Sequence, residues 1–178
     1  MKKSILVPVI TIALAAALLF GISFGTASLR ADRAQAEHEN IMRTLLPGST
    51  DFVREEYTGD DANIVSVHRA DNGYVIETKV YGYADDIIMM VGVSSDGKVT
   101  GLTVRQMAET YGLGNNALTD YEFLAQFLNT EGDSEVGGNV DAITGATVTS
   151  KAIARSVNSA VAFVTGADVA TEATSWGG

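Results

Sequence analysis

The chain has 178 residues, with 22 acidic against 12 basic side chains, two histidines and no cysteine. That length holds one ordinary domain and an appendage. Without cysteine there is no disulfide, thiolate zinc site, iron–sulfur cluster, CxxCH haem attachment or cysteine nucleophile, and a net charge of −10 argues against nucleic acid as a partner.

Lys2 and Lys3 precede a stretch from Ser4 to Leu29 without one charged residue. Its centre, Ile5 to Phe24, is about as long as a helix crossing a hydrocarbon core, with Pro8 in the first turn where a missing N–H costs little. Residues 1–30 are therefore expected to form a single transmembrane helix. A cleaved signal peptide is the alternative, since Ala34-Gln35-Ala36 has a small-x-small pattern. The apolar run is too long for a typical h-region, however, and that site lies well beyond its end, which favours a retained anchor. Arg30 and Arg33 nearly balance Lys2 and Lys3, so basic residues alone do not orient the helix. The segment beyond residue 30 holds all 22 acids and nine basic residues, a net charge of −13. A short N-terminal tip and an acidic remainder place the N-terminus in the cytoplasm and the domain outside the cytoplasmic membrane.

Residues 31–50 read as a helical connector. Ala31, Ala34, Ile41 and Leu45 form a weak stripe, interrupted by His38 and ended by Pro47-Gly48. Strand-like runs follow. Ala62–Val67 and Tyr74–Tyr81 flank Asp71-Asn72-Gly73, and Ile87–Val93 and Val99–Val104 flank Ser95-Asp96-Gly97-Lys98. Two hairpins in succession predict an antiparallel sheet of about four strands. Thr119, three residues before Glu122, has capping-box spacing for a helix through Phe123, Phe127 and Leu128. A last helix is predicted from Thr149-Ser150, with Ile153, Val157, Val161 and Val164 on one face and Gly166 at its end. The fold class is α+β: an antiparallel sheet with flanking helices over 51–170, with a flexible tail over 171–178.

The chemistry concentrates in Asp141-Ala142-Ile143-Thr144-Gly145-Ala146-Thr147-Val148-Thr149-Ser150, which leads into the last helix. Gly145 and Ala146 allow close backbone approach, a helix N-terminus offers unpaired N–H groups, and four hydroxyls supply donors or an oxygen to esterify. A hydroxyl-rich helix cap uses the same residue types, and on composition alone it is the commoner explanation. The acid pairs Glu55-Glu56, Asp60-Asp61 and Asp85-Asp86 read as solvated surface, and Met89-Met90 as core packing. No acid/base pair, nucleophile constellation or metal-ligand spacing is visible, so no turnover of a small substrate by the isolated chain is expected.

The motif Asp141-Ala142-Ile143-Thr144-Gly145-Ala146-Thr147 resembles the signature of the FMN-binding domain family. Glu109-Thr110-Tyr111-Gly112-Leu113-Gly114 is similar to that family's flavin-side loop, with Tyr111 in place of its usual proline. Gly82 to Val104 is similar to its glycine-tyrosine start, apolar strand and DGK hairpin, although Ala84-Asp85-Asp86 departs from a usually uncharged stretch. Anchor, size and segment order resemble the G subunits of Rnf-type electron-transport complexes, related to the C subunits of sodium-translocating NADH:quinone reductases. The resemblance implies covalent FMN, joined as a phosphoester through Thr147. Asp141, Thr144, Gly145 and Ala146 would be read by a separate flavin transferase. Val148 and Thr149 would lie at the cofactor's helix end, and Glu109, Thr110, Leu113 and Gly114 beside the flavin. It further implies an electron-relay subunit, not an enzyme on its own, working with other membrane subunits in ferredoxin:NAD oxidoreduction coupled to ion translocation. A stand-alone anchored flavoprotein and a non-redox anchored binding module are the alternatives.

Overall fold

The computed structural model describes residues 32–107 and 120–167. The apolar run over 1–30, the loop with Glu109, Thr110, Leu113 and Gly114, Thr119, and the tail over 171–178 lie outside the described residues. Among the described residues, no helix is long and apolar enough to cross a membrane. The chain divides into two compact units, Met1–Asn40 and Ile41–Gly178. Of the first unit, residues 32–40 are helical, and most of their side chains face solvent. The described part of helix α1 covers 32–45, and its last five residues belong to the second unit.

Five strands build the second unit's sheet: β1 (Val53–Glu55), β2 (Ile64–Ala70), β3 (Gly73–Tyr81), β4 (Asp86–Ser94) and β5 (Val99–Met107). They pair in sequence order, each antiparallel to the next. Both predicted hairpins are present. Ala70 pairs with Gly73 across the Asp71-Asn72 turn, and the Ser49 hydroxyl bonds both turn side chains, fastening the turn to the segment after α1. In the second turn Gly97 adopts a φ of +82°, a conformation glycine enters without steric cost. The fifth strand, β1, is a correction to the expected four. Three residues with two charges carry no alternating pattern, and β1 exists because β2 supplies its partners, including the Glu55–Arg69 ion pair.

Two helices follow the sheet: α2 (Tyr121–Ala125) and α3 (Thr147–Thr165). The α2 cap is Asp120, whose carboxylate accepts from the Phe123 N–H at 3.0 Å. The helix stops after five residues. Gln126 to Asn129 continue as turns, and Asn129 takes a φ of +64°, so Phe127 and Leu128 lie beyond the helix predicted for them. α3 starts two residues earlier than predicted and ends at Gly166, whose left-handed conformation accommodates the last turn.

Alternation along β3 and β4 feeds two cores, because both faces of the sheet are covered. On one face Ile76 and Val80 join Ile87, Met89, Val91 and Val93, packing with Phe123, Phe127, Ile153, Val157 and Val161. On the other, Val75 and Met90 pack with Met42, Leu45 and Leu46 from the end of α1. Met89 and Met90 thus fill different cores. The connector's predicted stripe changes accordingly: Ala34 is exposed, and Met42 and Leu46 join Leu45 in the core, since contact with the sheet decides burial.

Candidate functional site

Three contacts fix how α3 lies along the sheet. Phe163 meets the Tyr74 ring edge-on at 5.6 Å, the hydroxyls of Ser156 and Thr78 bond at 2.6 Å, and Thr165 sits over Gly97 in the β4–β5 turn. Moving from Tyr74 to Thr78 along β3 therefore means moving from Phe163 back to Ser156. The N-terminus of α3 points toward the end of the sheet where β3 stops at Tyr81, β4 begins at Asp86 and β5 ends at Met107. Ile87 pairs with Met107 at that end.

The loop before α3 is held from both sides. Gln126, just after α2, accepts from the Asp141 N–H at 2.8 Å and donates its amide to the Asp141 carbonyl at 3.4 Å. Residues 143–146 form a turn in which the Ala146 N–H donates to the Ile143 carbonyl at 2.9 Å. Gly145 within it has a φ of +77°, the left-handed region that a side chain disfavours. Ser150, fully buried, donates to the Ala146 carbonyl and accepts from the Ile143 N–H, both at 3.0 Å. The serine thus ties the loop to the first turn of the helix.

The motif's hydroxyls have separate environments. Thr149 and Ser150 are buried, at 1% and 0% exposure, whereas Thr144 and Thr147 face solvent. Thr147 is the first residue of α3, and no partner holds its hydroxyl among the described residues. Ala146 occupies the N-cap and no side chain caps the helix, so the hydroxyls do not form the elaborate cap that composition suggested. No acidic residue stands in the first turn either. A 19-residue helix therefore presents its positive end and first N–H groups without a capping side chain among the described residues. An exposed hydroxyl on that end, behind a glycine turn, suits a phosphate-bearing group.

The other sequence candidates divide plainly. Asp141, Thr144, Gly145, Ala146, Thr147, Val148 and Thr149 are brought into one loop and helix start, while Glu109, Thr110, Leu113 and Gly114 lie outside the described residues. Sequence reasoning missed Gln126, which holds Asp141 from fifteen residues away, and no local pattern marks it. Of the acid pairs, Glu55 bonds Arg69 and Asp86 meets Lys79 at 2.7 Å, both at the exposed surface.

Residues 82–162 match the model of the FMN-binding domain family. Over 177 aligned residues the chain is 34% identical to the G subunit of the ion-translocating oxidoreductase complex of Methanosarcina acetivorans, covering 90% of this chain and 93% of that protein. The chain belongs to the family of G subunits of ion-translocating oxidoreductase complexes. Two further G subunits align over about half their length. That of the Na(+)-translocating ferredoxin:NAD(+) oxidoreductase complex of Acetobacterium woodii is 35% identical over 50% of this chain and 47% of its own. The proton-translocating counterpart of Clostridium ljungdahlii is 38% identical over 52% and 53%. The family match runs from the β3–β4 loop to Ala162, so this G subunit places its FMN-binding domain on β4, β5, α2 and α3.

Proposed function

We propose that the chain is the electron-relay subunit of a membrane-bound Rnf-type complex and carries FMN as a phosphoester on Thr147. The observation that carries this reading is the exposed Thr147 hydroxyl on the uncapped N-terminus of α3, inside the Asp141–Thr147 motif. Burial argues against Thr149 and Ser150 as attachment points, and Thr144 lies in the turn ahead of the helix.

FMN supplies one- and two-electron redox chemistry, and its potential follows from the groups around its ring. This chain's residues do the holding. Gln126 and Ser150 fix the loop between Asp141 and Ala146, Gly145 lets the backbone turn closely, and the first N–H groups of α3 would hold the phosphate. Thr144, Val148 and Thr149 are assigned to the same helix end, with Thr149 packed beneath its surface, and Glu109, Thr110, Leu113 and Gly114 are assigned to the flavin side. A covalent link keeps the cofactor where free flavin is too dilute to replace what dissociates. Attachment is assigned to a flavin transferase that reads Asp141, Thr144, Gly145 and Ala146.

Residues 1–30 are assigned to a single-pass anchor in the cytoplasmic membrane, with the domain on the extracytoplasmic side beside other membrane subunits. The relatives from Acetobacterium and Clostridium are named for sodium and for protons. Similar identity to both favours placing the choice of ion in other subunits. Affinity purification from native membranes tests the assembly: the chain should bring integral membrane subunits with it and support ferredoxin-dependent NAD reduction. Recovery as a single polypeptide from gently solubilised membranes would contradict it.

A further inference from the structure

Both charges on α3 lie nearer its N-terminus than its C-terminus. Among its 19 residues only Lys151 and Arg155 are charged, and Lys151 stands one turn in from the positive end. This occurs in a segment where acids outnumber bases by 22 to nine, and no acid offsets them in the first turn. Arg155 is half-buried and already engaged with other groups. Lys151 is exposed and has no carboxylate partner among the described residues. It stands four positions after Thr147, and side chains at that spacing share one helix face with Cβ atoms about 5–6 Å apart. An ammonium group on a four-carbon stem readily reaches an anion attached to the neighbouring hydroxyl.

We propose that Lys151 is a positioning residue for the phosphodiester on Thr147, pairing its Nζ with the phosphate oxygens on the outer side of the helix end. This rests on the Thr147 linkage proposed above and adds a second contact to it. The backbone N–H groups hold the phosphate from the helix axis, and Lys151 holds it from the flank. The pair neutralises the phosphate's charge within a strongly acidic domain and limits rotation about the threonine side chain.

The test is 31P NMR of the flavin-loaded, detergent-solubilised full chain as wild type, Lys151→Gln and Lys151→Arg, with a salt titration of the wild type. Pairing predicts that the phosphodiester resonance shifts in Lys151→Gln and returns toward its wild-type position in Lys151→Arg. Rising salt should move the wild-type resonance in the same direction as Lys151→Gln, because an exposed pair is screened. Loading lost in Lys151→Gln and restored in Lys151→Arg would also support the charge contact. A resonance unmoved by both Lys151→Gln and salt would overturn it while leaving the Thr147 linkage standing. A wild-type chain with no phosphodiester resonance would instead remove the linkage, and the role of Lys151 with it.

Discussion

The Ser150 hydroxyl accepts a hydrogen bond from the Ile143 N–H, seven residues earlier, at 3.0 Å, joining the motif's loop to the helix it enters. The same oxygen donates to the Ala146 carbonyl, so one buried group fixes both ends of the Gly145 turn. Replacing it leaves a part-buried N–H without its acceptor. Ser150→Ala should lower stability by about 1–2 kcal/mol. It should also reduce the fraction of chains that carry flavin, since the loop no longer holds one shape. Urea unfolding and the ratio of flavin to protein absorbance measure the two effects.

Thr147 and Thr149 should separate in opposite senses. Thr147→Ala removes an exposed hydroxyl with no described partner, so stability stays within about 0.5 kcal/mol of wild type. In-gel flavin fluorescence disappears. Thr149→Ala alters a buried position, lowers the melting temperature and retains the fluorescence.

Much of this architecture is legible in the residues themselves. Asp71-Asn72-Gly73 and Ser95-Asp96-Gly97-Lys98 punctuate long apolar runs, and turn chemistry of that kind is local. The 3.6-residue spacing of Ile153, Val157 and Val161 marks α3 for the same reason. The strand β1 is not legible, because pairing with Arg69, His68 and Val67 creates it. At α2, Thr119 and Asp120 are both good cap residues, and the Asp120 carboxylate takes the Phe123 N–H. At the candidate site, the motif singles out Thr147, and its exposure follows from its place as the first residue of α3. The hold of Gln126 on Asp141 joins two irregular segments, which no periodicity connects.

The sheet's outer face yields a prediction about stability alone. Gly92 and Gly101 are cross-strand partners, and both lie against the backbone of Leu45 at the end of α1. A Cβ on Gly101 would stand 2.9 Å from the Leu45 Cα, and one on Gly92 would overlap the Leu45 carbonyl. Neither neighbour is a flexible side-chain end, so relief requires backbone movement. Gly101→Ala should cost about 1–3 kcal/mol, measured by chemical unfolding, with flavin content per folded chain unchanged.

The β3–β4 connection gives a pH dependence. The Asp86 carboxylate, bonded to Lys79 Nζ at 2.7 Å, holds the lysine above its ordinary value of 10.5. A raised folded value means stabilisation fully present below about pH 10.5 and lost as pH climbs through the raised value. The melting-temperature difference between wild type and Lys79→Met should therefore be constant from pH 7 to about pH 9 and close at higher pH. Both partners are substantially exposed, so the difference is small and shrinks with added salt.

Intact-mass spectrometry, followed by peptide mapping, of the chain produced together with a flavin transferase reads the Thr147 linkage directly. Attachment should add one FMN less one water, confined to the peptide containing Thr147 and absent from Thr147→Ala. A mass equal to the bare polypeptide, or an unchanged gain in Thr147→Ala, would contradict it.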